Sequence, residues 1–304
     1  MSDIHMVAPS SSPSSADALV HSSFYRFVRL QDPAHTAEVV RELVSDLTGN
    51  VLLAQEGISG ALAGTTDQMQ RFEQALQHDE RLQGAFMGMP FKHSACLTSP
   101  FWKVRVQVKP EIVALRVPGV TGLENESVTD THVSPQAWRE LITQPGVVVI
   151  DNRNSFEYRL GRFKGAIDPL VDNFRDFPSY VQAHAEQWKQ SGQKVAMYCT
   201  GGIRCEKTSH WMQSMGLEVY QLDGGIVNFF QALPDADRDW EGECFVFDNR
   251  VAIDTHLQET ATTAADVYDP AQPDERWRLE RAQRLDSANP KVKLPDSPPD
   301  SSHT

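Results

Sequence analysis

The hydrophobic pattern divides the chain into two structured blocks, and the first extends from residue 23 to 117. Alternating residues at 24–30 and 103–108, and short apolar runs at 51–54 and 60–64, are typical of strands. Apolar residues at helical spacing lie between these segments: Val39, Val40, Leu43 and Leu47, and then Met69, Phe72 and Leu76. The resulting order βαββαβ predicts a small ferredoxin-like α+β domain.

The second block extends from residue 133 to 254. Ser134 followed by Pro135 is typical of a helix N-terminus. The segments 147–151, 194–198 and 219–222 are short and almost entirely apolar, as in strands that are buried on both faces of a parallel sheet. Helical segments separate them, so this block is predicted to form an α/β domain with an open parallel sheet between two layers of helices.

Polar segments flank and join the two blocks. Residues 1–22 and 255–304 contain few large apolar side chains, so we expect flexible tails that cannot bury enough surface to offset the entropy of ordering. Residues 118–132 are mostly polar and include Pro118, Gly119 and Gly122, which predicts a linker between the domains.

Composition limits the partners and the cellular compartment that we expect for the protein. The chain has 28 basic and 41 acidic residues, a formal net charge of -13, which does not favour DNA or a membrane surface as a partner. It has no apolar run long enough to span a bilayer, and its N-terminus lacks the pattern of a secretory signal. The four cysteines are too few and too irregularly spaced for a disulfide framework. We therefore expect a cytoplasmic protein with reduced thiols.

The strongest chemical signal lies directly after the predicted strand 194–198. There the chain has the sequence Cys199-Thr200-Gly201-Gly202-Ile203-Arg204 and continues into a predicted helix at 206–215. Reactive groups of open α/β sheets lie at the carboxyl ends of strands. A thiolate would be stabilised here by the positive end of the helix dipole and by Arg204. It would also be stabilised by backbone N–H groups, which the flexible backbone of Gly201 and Gly202 allows to point at the sulfur. We predict that Cys199 is a catalytic nucleophile rather than an inert buried cysteine.

Cys205 is a candidate second thiol, although a cysteine at the start of a helix can equally pack inward. Cys244 is expected to pack beside the core of the second domain. A metal site is not predicted, because no cysteine follows Cys244 and the histidines lack the spacing of metal ligands.

The segment 199–205 resembles the active-site loop of rhodanese domains, and 151–158 with 161–166 resembles the upstream signature of that fold. The resemblance implies that Asp151 and Arg153 lie at the edge of the active-site pocket, where they would contribute to catalysis, although an Asp–Arg pair at a strand end is often structural. Four residues separate Cys199 from Arg204, one fewer than in the related dual-specificity phosphatases. The shorter loop favours sulfur over phosphate.

A longer set of motifs resembles the rhodanese-domain tRNA uridine hydroxylases: residues 55–60, 199–207, 222–226 and 242–248. The resemblance covers about residues 22–254 and implies oxygen-dependent 5-hydroxylation of the wobble uridine (U34) of tRNA. It maps the persulfide-forming cysteine onto Cys199, makes tRNA the substrate and molecular oxygen the co-substrate, and leaves no other cofactor evident. A sulfur-donor protein is a further expected partner.

The first domain offers candidates for contact with tRNA. They are basic residues on and after its last predicted strand: Lys103, Arg105, Lys109 and Arg116, with Lys92 and His93 nearby. The same residues are equally typical of a solvated strand face. Phe101 and Trp102 are candidates to stack on a base, or else part of the core. Residues 56–60 form either a turn that faces the active site or a plain hairpin connection.

Two other functions fit the same residues. One is a generic rhodanese sulfurtransferase that moves sulfane sulfur to a small-molecule or protein acceptor. The other is a non-catalytic adaptor that binds RNA or protein, which the intact Cys199 and Arg204 disfavour.

Overall fold

The structure, a computed structural model, describes residues 18–96, 98–123 and 131–288. Most of the predicted N-terminal tail, part of the predicted linker and the end of the chain therefore lie outside the described residues. The chain divides after Ala261 into two compact units. Both predicted domains belong to the first unit.

The first domain contains five strands and two helices. They are β1 (Leu19–Phe27), α1 (Pro33–Leu43), β2 (Thr48–Ala54), β3 (Gly57–Thr65), α2 (Thr66–His78), β4 (Lys92–Cys96) and β5 (Val104–Val108). The strands form one sheet in the order β4-β1-β3-β2-β5. Buried side chains from α1 and α2, among them Val40, Phe72 and Leu76, pack with Phe24 and Val51 from the sheet into one core. The α+β architecture is confirmed.

Two details of this domain differ from the prediction. The fourth strand of the ferredoxin-like order 4-1-3-2 is β4, whereas the predicted segment 103–108 forms a fifth strand, β5, which pairs in parallel with β2 at the opposite edge. The sequence of β4, KHSAC, lacks the apolar alternation of a half-buried strand. Strand β1 begins at Leu19, inside the predicted tail, because its backbone pairs with both β3 and β4.

The second domain follows β6 (His132–Val133) and alternates helices with strands. Its main elements are α3 (Pro135–Leu141), β7 (Val147–Asp151), α4 (Ser155–Leu160), β8 (Gly161–Phe163), α5 (Phe177–Gln190), β9 (Lys194–Tyr198), α6 (Ile203–Ser214), β10 (Glu218–Leu222) and α7 (Gly225–Ala232). Three short strands complete it: β11 (Trp240–Gly242), β12 (Cys244–Phe245) and β13 (Ala252–Ile253). Strands β6, β10, β9 and β7 form a parallel sheet in that order.

Both faces of the parallel sheet are buried, as predicted. Val149 and Ala196 point into a core shared with α3 and α7, whereas Val148 and Val195 point into a second core shared with α5 and α6. Ser134 is the N-cap of α3 and accepts a hydrogen bond from the Ala137 N–H. The strand order brings the carboxyl ends of β7, β9 and β10 to one edge, where the functional loop lies.

The predicted C-terminal tail contains regular structure. Helices α8 (Ala264–Val267) and α9 (Pro273–Ala288) lie in the second compact unit, so the expectation of a flexible segment from 255 is wrong over these residues. The α9 sequence is polar but rich in good helix formers, and Asp274 and Glu275 lie in its first turn, where they complement the helix dipole. Among the described residues, the helices are too short or too polar to cross a membrane.

Candidate active site

Cys199 lies at the C-terminal end of β9, in a short loop that leads into α6. The first turn of α7 holds the loop backbone, since the N–H groups of Ile226 and Val227 donate to the carbonyls of Cys199 and Thr200 at 3.0 and 3.1 Å. A Cβ atom on Gly225 would lie 2.4 Å from the Cys199 carbonyl oxygen, so this position requires glycine. The predicted location of Cys199 at a strand-to-helix junction is confirmed.

The two glycines of the loop differ in their roles. Gly202 has a φ of +100° and is the N-cap of α6, a conformation that favours glycine. Its N–H donates to the Cys199 Sγ at 3.2 Å. Gly201 does not have a positive φ, and it contributes its carbonyl oxygen to a contact with the first domain. The predicted unusual backbone is therefore found at Gly202.

A ring of donors surrounds the sulfur of Cys199. Burial by itself would raise the pKa of this thiol, but the Cys205 thiol and the N–H groups of Arg204 and Cys205 donate hydrogen bonds to it, and the Arg204 charge attracts the thiolate. Together these interactions lower the pKa of Cys199 to about 6. Cys199 is therefore mainly a thiolate at neutral pH, which is the form that attacks electrophiles.

Cys205 is buried in α6, next to the sulfur of Cys199. Burial, its hydrogen bond to Cys199 and the charge of that thiolate hold the pKa of Cys205 well above its ordinary value. The Cys205 thiol therefore keeps its proton and donates it to Cys199 in a hydrogen bond. Cys205 therefore packs inward, as one of the two alternatives has it, and it also contacts the nucleophile, whereas its role as a second thiol stays a prediction.

Arg204 acts on the sulfur through its charge and its backbone. Its guanidinium donates two hydrogen bonds to Glu157, at 2.9 and 2.8 Å, in a buried bidentate pair. Burial raises the pKa of Glu157, but the charge and hydrogen bonds of Arg204 lower it below the ordinary value. Glu157 was not singled out in the sequence, where the only signal was its place three residues after Asn154, the N-cap of α4.

Asp151 and Arg153 do not lie at the edge of a pocket. Both side chains are fully buried, and they form a bidentate ion pair with distances of 2.8 and 2.6 Å. Arg153 also donates to the Gly161 carbonyl and lies over the rings of Tyr198 and Trp240. The predicted location is wrong because the pair ties β7 to β8 inside the domain, where its hydrogen bonds and aromatic contacts offset the cost of burying charge.

The first domain covers the Cys199 loop. Lys92, at the start of β4, donates to the Gly201 carbonyl oxygen at 2.5 Å, and its ammonium lies 5.4 Å from the centroid of the Tyr25 ring. A Cβ on Gly202 would lie 2.9 Å from the Tyr25 hydroxyl, so that hydroxyl rests directly on the loop. Cys199 is consequently only 1% exposed. Neither the lysine nor the tyrosine was assigned to the active site from the sequence.

A second contact joins the first domain to α6. The Lys207 ammonium donates to both carboxylate oxygens of Glu56, at 2.8 and 2.9 Å, and to Glu111 at 2.5 Å. Burial raises the pKa of Glu56, although Lys207 opposes this shift. Of the alternatives for residues 56–60, Glu56 lies in a turn that faces the helix of the active-site loop, whereas Gly57 begins β3.

Of the candidate tRNA contacts, Lys92 lies on the Cys199 loop and His93 follows it in β4, whereas the other four basic residues are located differently. Lys103, Arg105 and Lys109 are exposed on or beside β5, and Arg116 is exposed beyond it. Strand β5 is the edge of the sheet opposite β4, so the structure does not bring Lys103, Arg105 and Lys109 to the Cys199 loop. Phe101 is buried and stacks on His21, so its use as a base platform is corrected, and Trp102 is half-buried. Cys244 is buried in the core, as predicted.

Two family models match the chain. Residues 19–112 match the UPF0176 acylphosphatase like domain, and residues 134–232 match the Rhodanese-like domain. The fold and the Cys199 loop therefore define a protein in which a rhodanese-like domain follows a small acylphosphatase-like domain. The predicted fold class, a rhodanese-like domain preceded by a smaller α+β domain, is confirmed.

Proteins that are similar over most of their length show to which family the chain belongs. A tRNA uridine(34) hydroxylase from Legionella pneumophila is 39% identical over 88% of this chain and 99% of the relative. Proteins of the same name from Synechococcus elongatus and Anaplasma phagocytophilum are 45% and 42% identical over 79% and 78% of this chain, and over 87% and 84% of the relatives. The chain belongs to the tRNA uridine(34) hydroxylase family.

Proposed function

We propose that this protein hydroxylates C5 of the wobble uridine of tRNA, with Cys199 as the nucleophile. The observation that carries the proposal is the thiolate loop at the end of β9, in a chain that shares both domains with the tRNA uridine(34) hydroxylases. A buried thiolate held by N–H donors, beneath side chains of a second domain, suits a reaction from which water is excluded.

Two roles for the thiolate follow from its nucleophilicity. Attack on C6 of the uracil ring would form a C6–S bond and move an electron pair toward C5 and O4, which makes C5 nucleophilic. Attack on the outer sulfur of a donor persulfide would form a persulfide on Cys199 and release the donor thiolate. The donor ring around Cys199 also suits the persulfide anion. We include a sulfur-donor protein as a proposed partner.

The oxygen atom comes from molecular oxygen in this proposal. One atom of O2 enters the ring at C5, and a two-electron reductant converts the other to water. Purified protein incubated with tRNA, a thiol reductant and ¹⁸O-labelled oxygen should yield 5-hydroxyuridine that carries the heavy isotope. Label that enters from water instead would contradict the oxygen-dependent reaction.

The cellular test uses a deletion strain and matched cysteine variants. Complementation with the natural protein or with Cys244→Ser should restore 5-hydroxyuridine and its derivatives in tRNA, because Cys244 lies in the core away from the loop. Complementation with Cys199→Ser should leave the modification at least about a thousandfold lower, since a hydroxyl is a far weaker nucleophile at neutral pH. Equal nucleoside profiles in all three strains would refute the proposal.

The rhodanese loop itself supports one other function, sulfur transfer. Thiocyanate formation from thiosulfate and cyanide that is rapid, independent of tRNA and abolished by Cys199→Ser would favour a generic sulfurtransferase. Full function of Cys199→Ser in cells would favour a non-catalytic adaptor. We place the reaction in the cytoplasm, where tRNA is available and thiols stay reduced.

A further inference from the structure

A cleft of about 730 Å³ lies between the two sheets of the first compact unit. Strands β1 and β4 form one wall, and the carboxyl-terminal ends of β6 and β10 with the start of α6 and α7 form the other. Its lining includes Tyr25, Phe27, Lys92, His132, Asp223 and Asn228. The volume falls within the range of about 300–1,000 Å³ that is usual for sites of small organic ligands.

The cleft ends at the Cys199 loop. Tyr25 and Lys92 line the cleft and also contact Gly202 and Gly201, so they form the layer between the cleft and the sulfur. Burial lowers the pKa of Lys92, and the Cys199 thiolate is the largest of the charges that oppose this shift. A ligand in the cleft that displaces the Lys92 ammonium from Gly201 would reach the nucleophile directly.

The lining has the chemistry of a pyrimidine nucleotide site. Tyr25 and Phe27 contribute aromatic rings to the lining, and such rings are suited to stack on a flat base. The Lys92 ammonium is a donor suited to a base carbonyl, and the Asp223 carboxylate and Asn228 amide are acceptors suited to the N3–H of uracil. Cytosine has a lone pair at N3, and an amino group in place of O4, so it matches this arrangement less well. Arg26 and His93 also line the cleft, where Arg26 donates to the Met87 carbonyl and His93 pairs with Glu73, so we assign them no phosphate contact.

We propose that this cleft receives the target uridine, flipped out of the RNA, and that Lys92 is a catalytic residue that binds the uracil O4 beside Cys199. The proposal rests on the proposed function and extends it, since it makes the first domain part of the reacting centre. An ammonium at O4 stabilises the negative charge that develops there when the sulfur adds to C6.

A sulfur-donor ligand fits the cleft less well. Thiosulfate is much smaller than the space and offers no flat face to the two rings. The depth of the sulfur matches a base that is inserted into a pocket, as in other enzymes that modify nucleobases.

Photo-crosslinking tests the location without requiring turnover. An anticodon stem-loop RNA with 4-thiouridine at position 34 is irradiated with the full-length protein, and the linked peptide is identified by mass spectrometry. We expect the link within residues 23–27 or 90–93 or beside Asn228. A link at β5, or a yield no higher than that of an RNA with cytidine at position 34 and 4-thiouridine in the stem, would overturn the proposal.

Lys92→Met tests the role in the reaction, with Lys189→Met on α5 as the matched control. Lys92→Met should lower kcat by about a hundredfold, the order expected for loss of one charge-stabilising donor, while the Kd for the RNA changes less than about threefold. Lys92→Arg should restore part of kcat. Equal kcat for Lys92→Met and Lys189→Met, with unchanged melting temperatures, would refute the role.

The outcomes of these experiments test the proposed uridine site and the proposed function separately. A cross-link in the cleft without any 5-hydroxyuridine would leave the cleft as a uridine site and defeat the proposed function. Hydroxylation with a cross-link elsewhere would keep the function and defeat the cleft.

Discussion

Two regions of the second domain contain a deeply buried cysteine, yet the two thiols differ in acidity by about six pKa units. Cys199 in the loop after β9 is 1% exposed and has a pKa of about 6. Cys244 in β12 is fully buried, and burial raises its pKa to about 12. Burial is the largest influence on both groups, so it cannot explain the difference.

The difference arises from the groups that face each sulfur, because the Cys205 thiol donates a hydrogen bond to Cys199, the Arg204 charge attracts its thiolate, and backbone N–H groups donate to it. The N-terminus of α6 points N–H groups at Cys199, and the N–H of Gly202 lies 3.2 Å from its sulfur. The thiol of Cys244 instead donates to the carbonyl of Phe245 at 3.7 Å, which favours the protonated form. Cys205 lies in the first turn of the same helix and has a raised pKa, so the helix start alone does not make a thiol acidic, and the position of Cys199 before the Gly–Gly–Ile–Arg sequence is required as well.

A pH titration that follows the absorbance of the thiolate tests this comparison, and it has the largest expected effect. The natural protein should show one step near pH 6, with the thiolate present above the step and lost as pH falls through it. The hydroxylation rate should fall over the same range, because the protonated thiol is not nucleophilic.

The variants Cys199→Ser and Cys244→Ser show which of the two cysteines titrates in the step near pH 6. Cys199→Ser should lose it, and Cys244→Ser should keep it unchanged. A step near pH 6 that survives in Cys199→Ser would mean that the groups around Cys199 do not give that thiol the lower pKa of the two.

Substitution of Arg204 removes both a charge near Cys199 and the partner of Glu157. Arg204→Met should raise the pKa of Cys199 by about one unit or more, toward that of Cys244. It should also lower the free energy of unfolding by about 3–5 kcal/mol, because it leaves the Glu157 carboxylate buried without a partner. Urea unfolding and the thiolate titration measure the two effects.

The double variant separates stability from acidity. In Arg204→Met with Glu157→Gln, no unpaired charge remains, so the free energy of unfolding should recover most of the loss. The pKa of Cys199 should stay raised, since the guanidinium is still missing. Recovery of the low pKa together with stability would show that Arg204 acts on the thiol through packing alone.

The sequence predicted the features that depend on neighbours along the chain. The strands 147–151 and 194–198, the Ser134 cap and the junction at Cys199 all follow from local patterns, and the structure has each of them. The parallel sheet then places Cys199 at its carboxyl edge without further information. The C-terminal helix α9 was missed because polarity was given more weight than helix propensity.

The parts of the site that the sequence did not reveal come from distant segments. Lys92 reaches Gly201 across 109 positions and Lys207 reaches Glu56 across 151. Glu56 and Lys207 both lie in motifs of the family resemblance, but the motifs do not show that the two side chains meet. Lys92 lies in β4, whose sequence lacks the apolar alternation that would predict a half-buried strand. The location of Asp151 and Arg153 was wrong for a related reason, since burial of an ion pair depends on the packing of Tyr198 and Trp240 around it.

The smallest expected loss of activity concerns Cys205, whose thiol donates the hydrogen bond that lowers the pKa of Cys199 most. Cys205→Ala removes this donor but leaves the backbone N–H groups and Arg204, so the pKa of Cys199 should rise by roughly 1–2 units, the value of one hydrogen bond to a charged group. Because a thiol with such a pKa is still partly ionised at neutral pH, hydroxylation at that pH should fall by only about two- to tenfold. Cys205→Ser keeps a donor at the same position and should restore the low pKa. If Cys205→Ala instead abolished activity while the titration step stayed near pH 6, Cys205 would act as a second redox thiol, and the contrast between Cys199 and Cys244 would no longer explain the site by itself.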